Sequence, residues 1–319
     1  MNRSISHMSA AIVAVGLLLA PVFTGAATPS LPRRASTKTA RAGPVRVWMR
    51  DVVLYPYDDA PAQIVELSGS AAPTSPGRLV TFDDVSSYNI NVEHAEARLG
   101  AASLSVLMNR YILPASKGAI KHVDVSFGAG VLEMKGEMVK AGAPIPFQAT
   151  AVASPNPDGD MSIKISKMTV AGVVPKGLMD ALGLKMSTVA QPHNTGVFYL
   201  VGDTMVLPLI SMFPPPKFSG RLRSVTVTPQ AMIVVIGAAN PVAAPVHSNA
   251  FIHFQGGDLK FAKLTMHDVD LTLVPKSGVA PLGFSPSNYY RQMVAGYSVP
   301  QPDGGLVAHV PDYAGLKTK

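Results

Sequence analysis

The sequence predicts an α+β chain dominated by one long, curved antiparallel β-sheet built as a meander of hairpins, with two short apolar-faced helices inserted. Three observations predict it. Apolar residues recur at every second position over most of the chain between Val45 and Val274, the period of a strand with one buried face. The spacing changes to that of a helix in only two short places before the C-terminal tail. Gly, Pro and Asp clusters punctuate the alternating runs at the spacing of hairpin turns.

In chain order, Val45, Val47 and Met49 alternate with Arg46, Trp48 and Arg50, and "YPYDDAP" (Tyr55 to Pro61) reads as a turn. "QIVELSG" and "LVTFDD" are short strands split by a loop at Ala71–Gly77, and "SYNINVEHAEARL" continues the alternation through Tyr88, Ile90 and Val92. In "ASLSVLMNRYIL", Leu104, Leu107, Met108, Tyr111 and Ile112 fall at i, i+3, i+4, i+7 and i+8, which predicts an amphipathic helix with Ser103 as N-cap and Pro114 as its stop.

"IKHVDVSFGAGVLEMKGEMV" is a hairpin turning at Gly128–Gly130, and "IPFQATAVAS" pairs with "MSIKISKMTV" around "PNPDGD". "PKGLMDALGL" (Pro175 to Leu184) is a second short helix with Leu178, Met179 and Leu182 on one face, and "GVFYLVG" is a strand. "GRLRSVTVTPQAMIVVIG" (Gly220 to Gly237) and "GDLKFAKLTMHDVDLTLV" (Gly257 to Val274) each read as a hairpin of the same outline as the one at Ile120. Residues 275–319 read as an irregular C-terminal segment with a short helix at Ser287–Gly296.

The ends suggest export. Arg3 and His7, the apolar run Ala10 to Phe23 and the small residues Thr24-Gly25-Ala26 have the layout of a signal peptide over residues 1–26. The run is shorter than a spanning helix needs, although an uncleaved N-terminal anchor is the alternative. Residues 27–44 are rich in Pro, Ser, Thr and Ala without periodicity, the composition of a flexible tether, so a single folded domain is expected over 45–274. A periplasmic or secreted location follows as the expectation. The chain has no cysteine, so stability must come from buried apolar surface.

The formal net charge of +7 is spread along a chain with only 15% charged residues. Nucleic-acid binders are more heavily charged, with Lys and Arg concentrated on one face, so nucleic acid is not the expected partner. Attraction to an anionic lipid surface is.

Searching for chemistry yields little. No G-x-S-x-G, HExxH, P-loop or GxGxxG motif is present. His247, His253 and His267 lack metal-ligand spacing, and the pairs Asp58-Asp59 and Asp83-Asp84 sit beside turn residues, where capping is the simpler role. The sequence therefore points to no catalytic residue, no metal and no cofactor. Its alternating strands instead offer an extensive apolar interior, and burial alone holds an acyl chain at about 0.8 kcal/mol per CH₂.

The order helix, hairpin, strand pair, short helix, short strand, apolar segment and hairpin over 102–237 resembles the LmeA-type phospholipid-binding family, within the tubular lipid-binding (TULIP-like) group. The stretches that carry the resemblance are "SLSVLMNRYIL", "IKHVDVSFGAGVLEMKGEMV", "IPFQATAVASPNPDGDMSIKISKMTVAGVVPKGLMDALGL" and "GVFYLVGDTMVLPLISMFPPPKFSGRLRSVTVTPQAMIVVIG". The resemblance implies a strongly bent sheet wrapped around a helix, an apolar groove for acyl chains, and no catalytic residues. Residues 45–100 and 250–319 lie outside that core and are expected to extend the sheet.

The expected function is therefore noncatalytic binding of phospholipid or another acyl-chain lipid in the cell envelope, with peripheral contact to a membrane surface. A structural or assembly protein that binds a protein partner through sheet edges is the alternative. The candidate groove liners are Leu104, Leu107, Met108, Tyr111, Leu178, Met179, Leu182, Leu207, Ile210, Met212 and Phe213. In "VLPLISMFPPPKFSGRLRSV", Pro208 and Pro214–Pro216 leave room for one or two helical turns at most, which predicts an apolar lip or wall at the sheet edge. Lys217, Arg221 and Arg223 follow it and are placed to meet lipid headgroups.

Overall fold

The computed structural model describes residues 43–116, 120–140, 142–172, 198–208, 210, 214–246 and 248–316. It is sheet-rich, with large curved sheets that do not close into a barrel and two short α-helices. Where the sequence suggested one continuous meander, the strands divide among three sheets of eleven, six and three strands.

The large sheet starts from a long hairpin, β1 (Val45–Tyr57) and β2 (Ala60–Pro73), turning at Asp58-Asp59. β3 (Val80–Thr81) belongs to the small sheet, and β4 (Tyr88–Leu99) pairs back on β2. One face of β1 buries Val45, Val47 and Met49, then Val52 and Leu54. The alternation changes phase at Asp51, which sits in the left-handed region at φ 45° and whose carboxylate accepts a bond of 3.1 Å from the Gln63 side chain. Asp tolerates that conformation better than most residues, so a single position re-aims the rest of the strand.

The first helix, α1 (Ala101–Leu107), passes into a π-helical turn at Met108–Ile112 and a 3₁₀ turn at Leu113–Ser116. Its N-cap is Gly100, and Ser103 does not cap it; the Ser103 hydroxyl turns inward and donates to the Pro61 carbonyl at 2.8 Å. The helix begins at Ala101, so Ser103 already lies within its first turn and cannot occupy the N-cap position.

The six-stranded sheet contains the two expected hairpin pairs, β5 (Ile120–Phe127) with β6 (Leu132–Lys140) and β7 (Ala143–Pro155) with β8 (Met161–Val170), followed by β10 (Thr204–Leu207), which was not expected as a strand, and β9 (Tyr199–Val201), all antiparallel. Its inner face is apolar, with Val123, Met134, Met138, Phe147, Ala151, Met161 and Ile163 buried, and its outer face carries Asp124, Glu133, Lys135 and Lys164 in solvent. α1 packs against β5 and β2, joining this sheet to the large one. The free side of β5 is closed by that helical segment. The Asn109 side-chain amide donates to the Val123 carbonyl at 2.6 Å while its oxygen accepts the Val123 N–H at 2.7 Å, and the Ser105 hydroxyl accepts the Val125 N–H at 2.8 Å.

β11 (Lys217–Ser219), β12 (Leu222–Val227) and β13 (Met232–Gly237) return the chain to the large sheet, β13 against β4 and β11 parallel to it. β14 (Phe251–Gln255) pairs with the other side of β1, so β1 ends up interior to the sheet. The stretch Gly257–Val274 was expected to form one hairpin. It instead forms a small one, β15 (Asp258–Phe261) with β16 (Leu264–His267), after which β17 (Asp270–Pro275) leaves for the large sheet beside β14. Ala262 and Asp268, both at positive φ, make the two reversals.

The C-terminal segment is more regular than expected. β18 (Leu282–Phe284) runs parallel to β1, α2 (Tyr289–Ala295) confirms the short helix, and β19 (Tyr297–Pro300) and β20 (Leu306–Val310) complete the sheet edge. Gln292 on α2, fully buried, ties this segment down: its amide nitrogen donates to the Gly283 and Pro311 carbonyls at 2.7 and 2.8 Å and its oxygen accepts the Ser285 N–H at 3.0 Å.

Candidate functional site

An apolar pocket lies where the inner face of the large sheet meets the triproline segment. The sheet contributes Met49, Leu54, Ile90, Ile252 and Phe254; the 82–88 loop contributes Phe82, Val85 and Tyr88; Pro216 and Phe218 form one wall. The loop is shaped by its own polar residues. Asp84 accepts the Ser86 N–H at 3.0 Å, Ser87 and Thr81 exchange two bonds, and the Phe82 N–H donates to Lys260 at 2.8 Å. These contacts hold the Asp84 carboxyl below its ordinary range, chiefly through the Ser86 hydroxyl. Asp83 accepts the Ala262 N–H at 3.0 Å, so the Asp pair organises turns, as its position in the sequence suggested.

With the loop so fixed, Phe82 becomes the centre of an aromatic cluster. Its ring meets Phe254 at 5.6 Å, Phe261 at 5.3 Å and Tyr289 at 5.1 Å, each edge-on, the arrangement that ring quadrupoles favour. Burial pushes the Tyr88 phenol well above its ordinary pKa, and burial together with a hydrogen bond to Asp83 pushes Tyr289 up to about 12, so both are neutral donors. The cavity volume is about 20 Å³, room for about one water.

The opposite face of the large sheet carries a second cluster, a polar row running across five strands in register: His94, Ser68, Trp48, His253 and Thr272, all buried. The strand-free stretch after β13 lies over part of it. Ala238 accepts from His94 at 2.7 Å, the Val242 carbonyl accepts the Trp48 indole N–H at 3.1 Å, and the Val242 N–H donates to Ser68 at 3.3 Å. His253 bonds Thr272 through Nδ1 at 2.9 Å, while its Nε2 is buried without a partner, and burial lowers its pKa.

The predicted residues fall in several places. Leu104 and Leu107 are half-buried against the core, Met108 is buried, and Tyr111 stacks on Tyr57 with ring centroids 3.6 Å apart. Leu207, on β10 opposite Met161, and Ile210 are buried. Leu178, Met179, Leu182, Met212 and Phe213 lie outside the described residues. Lys217, Arg221 and Arg223 are exposed; Arg221 also donates to the Pro157 carbonyl, and the Leu222 N–H donates to Gly159 at 2.9 Å, which stitches β12 to the "PNPDGD" turn.

Among the described residues, the predicted liners Leu104, Leu107, Met108, Tyr111, Leu207 and Ile210 are not on this pocket. At the end of the triproline stretch Pro216 and Phe218 line the pocket while Lys217 between them is exposed; neither was among the residues expected to form the lip. The remaining lining comes from 45–90 and 252–286, stretches read as sheet extension. The signal was there in the alternating Phe82, Tyr88, Phe254 and Phe284, which no helix periodicity flagged. Among the described residues no group of three or more His, Asp or Glu could hold a metal ion.

Fold and pocket together define a sheet-rich α+β protein whose described cavity is lined by apolar and aromatic side chains. Comparison with protein-family models, curated proteins and solved structures gives no match to this chain.

Proposed function

We propose that the chain is an exported, noncatalytic lipid-binding protein of the cell envelope that takes a phospholipid or other acyl-chain lipid. The observation that carries this reading is the pocket at the triproline wall. It is lined by apolar and aromatic residues, and it has an exposed cation, Lys217, on the strand that forms its wall. Acyl chains need apolar walls, and phosphate headgroups need a nearby positive charge.

At about 20 Å³ the pocket is far smaller than the several hundred Å³ of typical ligand sites, so a chain enters only if a wall moves. β11 is the wall suited to that. It is three residues long and pairs with β4 through Lys217, Phe218 and Ser219, the Ser219 hydroxyl also donating to Asn91 at 3.1 Å. The half-buried stripe of Leu104 and Leu107 on α1 is a second apolar surface for an acyl chain.

The assembly alternative finds less support in two of the sheet edges. β5 is occupied by Asn109 and Ser105. On β19 the Gln301 N–H donates to Gly305, so alternate residues Val299 and Tyr297 face β20 and the outward positions are Ser298 and Pro300, the latter without an N–H.

The test is purification under mild conditions, organic extraction and mass spectrometry of the extract, together with uptake of a fluorescent phospholipid. Stoichiometric lipid or saturable uptake is expected. Protein that is free of lipid and takes up none would end this reading.

A further inference from the structure

A second surface, whose exposed residues are not among those lining the pocket, has the chemistry of a bilayer contact. The sequence "SNYYRQMVAGYSVP" (Ser287 to Pro300) contains one charged residue, Arg291. Within it Tyr290 and Val294 are each 68% exposed, and they stand four residues apart on one face of α2. Tyr297 and Val299 are exposed two residues apart on one face of β19, with Tyr297 stacked on His309 of β20 at 4.5 Å.

The two elements are joined at Gly296, whose N–H donates to Met293 at 3.2 Å. Gly296 sits so close to β20 that an added Cβ would fall 2.3 Å from the His309 carbonyl. Val279, 67% exposed, is three residues beyond Lys276, whose ammonium donates to the Ala295 carbonyl at 2.9 Å. Loop, helix end and edge strand thus converge on one corner of the sheet.

Exposed apolar side chains gathered in this way mark an interaction surface. Three features decide its occupant. The patch includes two exposed tyrosines, Tyr290 and Tyr297, the residue type that settles at the level of lipid headgroups. From Ser287 to Pro300 the one charged residue is Arg291, with no carboxylate, and the Lys276 ammonium reaches the Ala295 carbonyl at the helix end, on a chain of net charge +7. The adjoining strand edge offers one outward N–H, at Ser298, because Pro300 has none, which disfavours addition of a partner strand.

We propose that this corner, formed by Tyr290, Val294, Tyr297 and Val299 with Lys276 and Arg291 beside them, docks the protein onto an anionic bilayer surface. It deepens the lipid-binding reading by naming the face that meets the membrane, and it is testable apart from that reading.

The experiment compares the full chain with the double variants Tyr290→Ser/Val294→Ser and Tyr297→Ser/Val299→Ser. Each is floated with vesicles of phosphatidylcholine alone and of equal phosphatidylcholine and phosphatidylglycerol. Emission from the single buried tryptophan, Trp48, reports whether each variant is folded, and light scattering gives the oligomeric state. The unaltered chain is expected to float with the anionic vesicles, less so as salt rises, and each folded variant to bind at least about tenfold more weakly.

The helix variant alters only side chains standing in solvent, so it decides the matter if the strand variant fails to fold. Equal flotation of the helix variant and the unaltered chain would overturn the proposal, as would no flotation of the unaltered chain. A switch in oligomeric state on substitution would also overturn it, assigning the patch to a protein contact. Lipid extracted from each protein is measured in parallel. Lost flotation with retained bound lipid supports the docking surface and the carrier reading together, whereas patch-dependent flotation of a lipid-free protein would keep the first and discard the second.

Discussion

Asn109 pairs with Val123 as a neighbouring strand would, giving its side-chain N–H to the Val123 carbonyl at 2.6 Å and taking the Val123 N–H at 2.7 Å. An amide side chain has the same donor and acceptor as a peptide group, so one residue of a π-helical turn substitutes for one residue of a sheet. Asn109→Leu removes both and leaves a buried donor and acceptor without partners. The expected loss is about 2–4 kcal/mol from two unsatisfied groups, read as a lower urea midpoint at unchanged slope. Asn109→Asp is expected to be no better, because it keeps the acceptor and sets a carboxylate against the Val123 carbonyl.

Gln292 is expected to be equally intolerant of an apolar replacement. Gln292→Met conserves volume but strands the Ser285 N–H and the Pro311 carbonyl, while the Gly283 carbonyl keeps its bond from the Tyr313 N–H. A loss of roughly 2–4 kcal/mol is expected. Hydrogen exchange should show it first in β18 and α2, and equal protection in both proteins would refute this role for the amide.

Stability should depend on pH through His253. Its folded pKa lies below the ordinary value because burial penalises the imidazolium, with Asp270, 3.9 Å from Nδ1, opposing the shift. The unfolded chain therefore binds the proton more readily. The contribution to stability is fully present above about pH 6.5 and is lost progressively as pH falls from there toward the lower folded pKa. The melting temperature should drop across that window. His253→Gln should flatten part of the drop, and an identical pH profile in the variant would exclude His253 as a source.

Phe82 fastens the wall of the pocket. Phe82→Ala should cost about 3–5 kcal/mol, because the ring is buried among Phe254, Phe261, Phe284 and Tyr289. Phe218→Ala, at the half-buried β11 wall, should cost less and enlarge the pocket. Faster uptake of a fluorescent acyl probe by Phe218→Ala is expected; uptake no faster than in the unaltered chain would place the lipid elsewhere.

Charge reversal at Lys217 and Arg223 should weaken binding to anionic vesicles, and binding that stays the same would remove these residues from headgroup contact. Arg221 is a less clean probe. Its guanidinium also holds the Pro157 carbonyl, and Gly159 packs against its Cβ, so Arg221→Glu is expected to lower stability as well.

Local pattern was legible in the sequence. Period-2 alternation located β5 to β8 of the six-stranded sheet, and the turns at Gly128–Gly130 and Asn156–Gly159 joined them as expected; β10 was not legible as a strand, its last residues, Val206 and Leu207, falling in the stretch read as the apolar lip. What alternation cannot express is partnership at long range. Leu271 and Leu273 alternate equally well as the far arm of a hairpin with Leu259 or as a partner of Ile252 and Phe254, and packing chose the latter. The same limit hid the pocket. Helix spacing drew attention to Leu104 and Leu107, whereas the pocket residues come from strands distant in sequence, and each one taken alone is an ordinary inward-facing residue. Ser103 misled because the helix begins two residues before it, at Ala101, with Gly100 at the N-cap, a start that the apolar spacing from Leu104 does not mark.

The position of β1 has a consequence for how the chain acquires its shape. It is the first strand of the described chain, yet it lies between β2 and β14, and Trp48 donates to a carbonyl 194 residues further on. During synthesis one flank of β1 stays without its pairing partner until Phe251–Gln255 have emerged, so the closing step has a high contact order and should be slow. Through that interval the nascent chain shows an apolar, unpaired strand edge, the kind of surface holding chaperones bind. Truncation before Phe251 should therefore yield an aggregating chain rather than a smaller stable domain.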